Sequence, residues 1–301
     1  MSYGAPELLG YRLLTRLQDR RGMVPKTVFH KFWSLSDRYA EAEFDTELGV
    51  PRYWYKYGEL VDEQSVDSGF FVAPSAPWGG QAYKPVYDEG DGEFDLGRRE
   101  QQVIEQTVEW ALDQFDQWSA RKLEAHQYRK HAPNEFIRSY SELRERLQYT
   151  GLDEQVPLSV YEPDGPDTNR EVVFELLDQT VAAYPTEDPA FEPLSDAFFR
   201  WEDTARLLIE QERDFARLEV FLDEFVQVVS EAVLRFQFAD GVDQERVAEW
   251  RTDGEACLER FESTLAERRS ELLREREQSG VLQSVSATYD EMVLDDLTND
   301  E

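Results

Sequence analysis

Apart from its carboxylates, the chain carries few side chains able to act as base, nucleophile or soft metal ligand: three His, one Cys and six Lys. His126 and His131 lie five residues apart, off the three- or four-residue spacing that puts two ligands on one helix face. Cys257 stands alone and cannot close an internal disulfide, and no CxxC, HExxH, P-loop or GxGxxG pattern occurs. The acidic run Asp88-Glu89-Gly90-Asp91-Gly92-Glu93-Phe94-Asp95 invites a calcium reading. Counted from Asp91, however, the sixth position is Leu96, where a helix–loop–helix calcium site needs Gly for its turn. Asp164, Asp167, Glu171 and Glu175 faintly suggest a metal-dependent nuclease. That chemistry wants a Lys beside the second carboxylate to offset charge developing on phosphate, and no Lys follows Lys130. Ser-His-Asp and Cys-His catalysis have no local signature. The expectation is a non-enzyme with no catalytic, cofactor-binding or metal-ligating residues and no cofactor.

What remains is charge and aromatic surface. The 64 Asp and Glu outnumber the 32 Lys and Arg, for a net charge of −32. Self-repulsion of that size is tolerated best where salt screens it, since the Debye length at molar salt is only about 3 Å. The composition reads as adaptation to a saline cytoplasm, a statement about solvent rather than function. At 41% hydrophobic and 13% aromatic residues, the chain can still bury a core. No apolar run approaches the ~20 residues of a bilayer span. The start, Met-Ser-Tyr-Gly-Ala-Pro-Glu, lacks the basic and apolar regions of a signal peptide. A soluble, cytoplasmic protein that avoids membranes is expected.

Two basic islands break the acidic trend. Arg12, Arg16 and Arg20 recur every four residues beside a leucine face, followed by Arg21, Lys26 and Lys31. A second island runs from Arg121 to Arg146. The islands at 12–31 and 121–146 could bind nucleic-acid phosphate or an acidic partner. They could equally pair within the protein, and at molar salt counterion release drives little phosphate binding. Internal pairing is the expected outcome, and nucleic acid is not the expected partner.

The elements that must position these groups are mostly helices. Residues 6–21 place Leu9, Leu13 and Leu17 on one face, closed by Gly22. A second helix starts near Pro25 and carries Val28, Phe29, Phe32, Trp33 and Leu35 to about Ala40. Tyr53, Trp54, Tyr55 and Tyr57 mark an extended, aromatic segment whose alternate members point inward. Short strands are expected at 70–72 and 83–87, an acidic loop at 88–97, a helix of about 20 residues after it, and two shorter helices at 119–129 and 134–148. Charge divides near residue 150: residues 1–150 hold 19 basic and 25 acidic side chains, residues 151–301 hold 13 and 39. Residues 151–169, with Pro157, Pro163, Gly165 and Pro166, read as a linker, and 172–184 as a helix. From Asp196 to Ala239 there is no Pro or Gly, and an apolar stripe steps by threes and fours, predicting one long helix. Gly241 and Asp243 end it and cap a second, which stops at Gly280, so the two form an antiparallel hairpin. Residues 281–301 are expected to be a loose acidic tail. The expected fold is mainly α with a small β element: a helical domain at 1–150, the linker, an acidic hairpin domain at 170–280, and the tail.

In its order of features, the segment 8–140 resembles the Panacea domain, the SocA-like antitoxin family. Trp33-Ser34-Leu35-Ser36-Asp37-Arg38-Tyr39 looks like that family's aromatic second helix, and Tyr55-Lys56-Tyr57-Gly58 like its Tyr-Gly-Pro segment, with Glu59 in place of Pro. Phe94-Asp95-Leu96 with Glu100, Val103 and Ile104 resembles its acidic helix start. Ser119-Ala120, Leu123 and His126 are similar to its last element, His126 standing three rather than four residues after the Leu. The resemblance covers somewhat under half of the chain. It implies a mostly helical domain that neutralises a toxin or presents it to a protease, without catalysis. On this reading the candidate partner-binding residues are Tyr53, Trp54, Tyr55, Tyr57, Gly58, His126, Arg12, Arg16 and Arg20. The partner would be a protein, such as a toxin encoded nearby, or a second copy met through the C-terminal hairpin. The alternatives are a nucleic-acid-associated factor using the two islands and a structural helical interaction protein.

Overall fold

Leucines spaced by four fill the first turn-to-turn face of the protein: Leu9, Leu13 and Leu17 have no exposed surface. The computed structural model describes residues 2–66, 69, 71–72, 81–85, 93–94, 96–150, 166–211 and 215–298. After β1 (Ser2–Tyr3), α1 (Ala5–Arg21) begins where Glu7 Oε2 accepts the Gly4 N–H at 3.0 Å. It ends at Gly22, whose φ of 75° suits the left-handed side of conformational space that a glycine tolerates. Then come β2 (Val24–Pro25) and α2 (Lys26–Phe44), a helix buried along most of its length. The extended segment is a hairpin of β3 (Arg52–Tyr55) and β4 (Gly58–Val61), paired from Arg52↔Val61 to Tyr55↔Gly58.

β5 (Phe71–Val72) and β6 (Ala82–Pro85) join β2 in the order β2-β6-β5, and β7 (Glu93–Phe94) pairs parallel with β1. α3 (Arg98–Phe115) packs on α1 and α2 through Ile104, Val108, Ala111 and Leu112. α4 (Ala120–His131) starts at Ser119, whose Oγ accepts the Lys122 N–H at 3.2 Å, a cap that satisfies one orphan donor. α5 (Glu135–Thr150) follows. The chain is mainly α with a small β element, as expected.

The C-terminal half departs from the sequence reading in four ways. The residues expected to form one helix over 196–239 form α7 (Ser195–Gln211), α8 (Ala216–Val229), a π-helical turn at Ser230–Leu234 and the short α9 (Arg235–Gln237); residues 212–214 lie outside the described set. A π turn carries an extra residue, yet the apolar stripe steps through Phe225, Val229, Val233 and Phe236 without a break, so the sequence pattern does not mark it. α10 (Gln244–Thr298) continues through Gly280, and the region expected to be a loose tail has helical backbone to Thr298. One Gly inside a helix costs only about 1 kcal/mol, too little to stop a run that contains no Pro. Asp243 does cap α10, with Oδ1 accepting the Glu245 N–H at 2.8 Å. The linker is shorter than expected, because α6 (Pro166–Ala182) starts on Pro166, a residue suited to a first helical turn; residues 151–165 lie outside the described set. The acidic loop falls largely outside it as well.

Contacts divide the chain into two compact units, Met1–Ser141 with Val226–Glu255 and Glu142–Phe225 with Ala256–Glu301. Residues 226–255, which the sequence reading kept with the hairpin, therefore belong with the first unit. In the second, Trp201 and Phe225 stack with ring centroids 4.6 Å apart, and Tyr184 lies on Phe198 at 4.0 Å. The pairs Arg268–Glu224 (2.5 Å) and Arg217–Glu275 (3.5 Å) show α8 and α10 running antiparallel.

Candidate functional site

α2 and the β3–β4 hairpin build the part of the first unit with the most unusual chemistry. Phe29, Phe32 and Trp33 bury α2, so polar residues between them are carried into the interior. Lys31 is one, with no exposed surface. Its ammonium donates to the Tyr57 carbonyl and, at 2.7 Å, to Gln127 Oε1; Gln127 Nε2 donates to Ser34 Oγ at 2.8 Å. Burial pulls the Lys31 pKa down to about 8, against the opposing pull of Glu124 and Glu59. The hairpin turn thus rests on a buried amine. Gly58 makes this possible: its φ is 88°, and a Cβ there would stand 2.6 Å from Gln127 Oε1 and 3.1 Å from Lys31 Nζ.

Through His30, next to Lys31 in the sequence, and Lys26, α2 presents a second network. His30 Nδ1 accepts the Val61 N–H at 3.2 Å, which leaves Nε2 to donate to Glu63 Oε1 at 2.6 Å. The Tyr83 hydroxyl donates to the same oxygen, and Lys26 Nζ lies 2.9 Å from it. Burial alone would raise the Glu63 pKa, but these three donors overcome it and hold the carboxylate ionised, with a pKa of about 2. Burial lowers the His30 pKa, so its ring is neutral. Lys26, His30 and Glu63 line a cleft of about 520 Å³, whose wall continues through Tyr53, Tyr57 and Arg246. Among the described residues, no group of three or more His, Cys, Asp or Glu could hold a metal ion.

Glu63 makes a prediction with a definite sign. Its folded pKa lies below the ordinary 4.5, so its contribution is present above pH 4.5 and is lost as pH falls towards about 2. Chemical-denaturation midpoints measured across that window should fall in the wild type, and the slope should be shallower in Glu63→Gln.

The sequence-singled residues separate into distinct roles. Tyr57 is 36% exposed at the hairpin turn, beside the cleft. Tyr53 packs on Trp250, with centroids 4.8 Å apart, and the Tyr55 hydroxyl donates to Glu231 Oε1 at 3.0 Å. Trp54 is buried against Tyr128, so it belongs to the core and offers no contact surface. Gly58 acts through its backbone. His126 is half-buried between Phe115 and Trp118, with centroids 5.4 Å from each. Arg12, Arg16 and Arg20 face α3, opposite Glu105 (3.2 Å), Glu109 (3.8 Å) and Asp116 (3.8 Å). Arg144 of the second island meets Asp223 at 3.1 Å. The stripe on α1 is thus spent within the fold. Replacing Arg12, Arg16 and Arg20 together by Glu should lower stability by roughly 1–2 kcal/mol, since exposed pairs contribute little singly and the new acids repel α3. Thermal melts of the triple variant check this.

Comparison with protein-family models, with curated proteins and with solved structures finds no match to this chain. The site therefore has to be read from its own geometry. The sequence reading missed Lys31, His30 and Glu63 as a group, and missed Arg52, whose Nε lies 3.0 Å from the buried Asp37. One signal for Lys31 was present. In a chain that keeps only six Lys, one flanked by His30 and Phe32 on an apolar helix is held for a reason other than solvation.

Proposed function

We propose that this chain is a non-catalytic, protein-binding regulator of the antitoxin type, working in a saline cytoplasm. The observation that carries the reading is Tyr57: a partly exposed aromatic ring at the lip of a cleft, on a turn fixed from beneath by Lys31, Gly58 and Gln127. A rigid aromatic beside a concavity is the kind of anchor on which interface energy concentrates, because little side-chain entropy is lost on binding. The segment Tyr55-Lys56-Tyr57-Gly58 is also where the chain resembles the Panacea domain. The polar groups below it serve to hold the turn; Glu63 is stably ionised and His30 stably neutral, which suits positioning better than proton transfer. Toxin neutralisation, or presentation of a toxin to a protease, is the activity this reading assigns.

Co-expression with the products of adjacent genes, followed by pull-down at high salt, tests the proposal. A retained partner, with affinity reduced about tenfold or more in Tyr57→Ala, is the expected result. Failure of every neighbour to bind or to be toxic would end it. The salt adaptation has its own check: raising KCl from about 0.1 M to about 2 M should lift the melting temperature, because screening relieves the self-repulsion. A melting temperature unchanged or lower in high salt would remove that part of the reading.

A second mode is self-association through the C-terminal helices. Val220 of α8 is 57% exposed and Leu273 of α10 is 42% exposed, large apolar groups on the surface of their helices. Sedimentation at high salt, with Val220→Glu as control, distinguishes it.

A further inference from the structure

The cleft beside Tyr57 has an acceptor left over. Glu63 Oε1 takes the His30, Tyr83 and Lys26 donors, while among the described residues Oε2 accepts no hydrogen bond. The two cations in the lining are already matched. Lys26 faces Glu63 at 2.9 Å, and Arg246 meets Glu249 at 3.0 Å and Asp62 at 4.0 Å. The spare capacity is therefore the acceptor atom Glu63 Oε2, on an ionised carboxylate in a protein whose net charge is −32. Around it stand the amides of Gln64 and Gln81, with oxygens able to accept, and the rings of Tyr53 and Tyr57. The Tyr57 ring already attracts a cation: Lys56 Nζ lies 4.9 Å from its centroid.

We propose that this cleft receives an arginine side chain of the partner protein, its guanidinium donating to Glu63 Oε2 and lying against the Tyr57 ring. Arginine fits better than lysine because its planar fork can donate to a carboxylate and an amide oxygen together while its face covers an aromatic ring. The ionised state of Glu63 is secured from behind by three donors, so the acceptor needs no rearrangement when the cation arrives. The proposal rests on the regulator reading only for the ligand's being a protein side chain.

Short blocked peptides test the cleft without the partner. Gly-Arg-Gly is compared with the same peptide carrying Lys, citrulline or Glu, by titration calorimetry and by tyrosine fluorescence. A single side chain should bind in the millimolar range. The arginine peptide is expected to bind at least about tenfold more tightly than the citrulline peptide, which has the same shape and no charge. Tyr57→Ala, at an exposed site, should weaken arginine binding about fivefold without changing the melting temperature. Glu63→Gln should remove the arginine preference, its fold checked by circular dichroism. Equal binding of arginine and citrulline, stronger binding of the Glu peptide, or no saturation by about 10 mM overturns the proposal. If the peptides fail while a co-expressed partner is still retained, this inference falls and the regulator reading stands. If arginine binds and no neighbour is retained, the cleft assignment stands and the regulator reading falls.

Discussion

Gly58→Ala is expected to destabilise the protein by about 4 kcal/mol, the sum of two separate effects. At φ 88° any Cβ is strained, at roughly 1–2 kcal/mol. The second effect is steric and electrostatic. The new methyl would stand 2.6 Å from Gln127 Oε1 and 3.1 Å from Lys31 Nζ, and both groups are fully buried, so neither can swing into solvent. Moving them breaks the 2.7 Å Lys31–Gln127 hydrogen bond and leaves a buried ammonium short of an acceptor. Overfilling of this kind costs roughly 1–3 kcal/mol. Gly22 and Gly49 supply the control: both have positive φ, at 75° and 71°, but nothing lies within 4 Å of a Cβ at either. Gly22→Ala and Gly49→Ala should lose only the conformational part, about 1 kcal/mol each. Urea denaturation of the three variants compares them directly. Equal losses at all three glycines would mean that the buried amine does not brace the turn. Because Tyr57 immediately precedes Gly58, the same change should also weaken partner and peptide binding beyond what instability explains.

How far the sequence exposed this arrangement depends on the period of each pattern. The leucines of α1 and the apolar run of α3 repeat at helical spacing, one face is buried, and the elements follow directly. Caps were readable too: Gly22 and Asp243 each do in the structure what their residue types favour. Arg12, Arg16 and Arg20 were visible as a stripe, but whether they meet phosphate or Glu105, Glu109 and Asp116 depends on which helix lies opposite. The π turn at Ser230–Leu234 was hidden for a related reason. Its neighbour Gly254, on α10, comes so close that a Cβ would collide with the Glu231 carbonyl, and only the folded chain shows that approach. His30, Lys31 and Glu63 were illegible as a group, because they meet through a helix, a hairpin and the strand that follows. His30 and Glu63 looked like ordinary polar residues of an acidic protein, and only the rarity of Lys set Lys31 apart.

Arg52→Met should be nearly as damaging as Gly58→Ala, and its deficit should depend on pH in a way that identifies the cause. Arg52 is buried at the start of β3, exchanging two backbone hydrogen bonds with Asp240, each 2.7 Å. Its side chain joins three carboxylates: Asp37 at 3.0 Å, Glu41 at 3.3 Å and Asp240 at 2.5 Å. Glu41 and Asp240 are largely exposed and can be rehydrated, but the Asp37 side chain is only 5% exposed. Burial already pushes the Asp37 pKa up to about 6, even with Arg52 pulling it down. Removing the arginine strands this carboxylate at neutral pH, a loss of roughly 3–5 kcal/mol for a broken buried pair. The sign of the pH dependence follows. With the folded pKa above the unfolded 3.8, the folded state holds more protons between the two values, so Asp37 destabilises less as pH falls through that window. Without Arg52 the folded pKa rises further and the window widens upward. The difference in unfolding free energy between wild type and Arg52→Met should therefore be largest near neutral pH and shrink towards about pH 5. Adding Asp37→Asn to Arg52→Met should recover much of the loss at neutral pH, since the amide can be buried without charge. A deficit that is flat with pH and untouched by the second change would assign the role of Arg52 to its aliphatic contacts, and would remove Asp37 from the account of how the hairpin is held on α2.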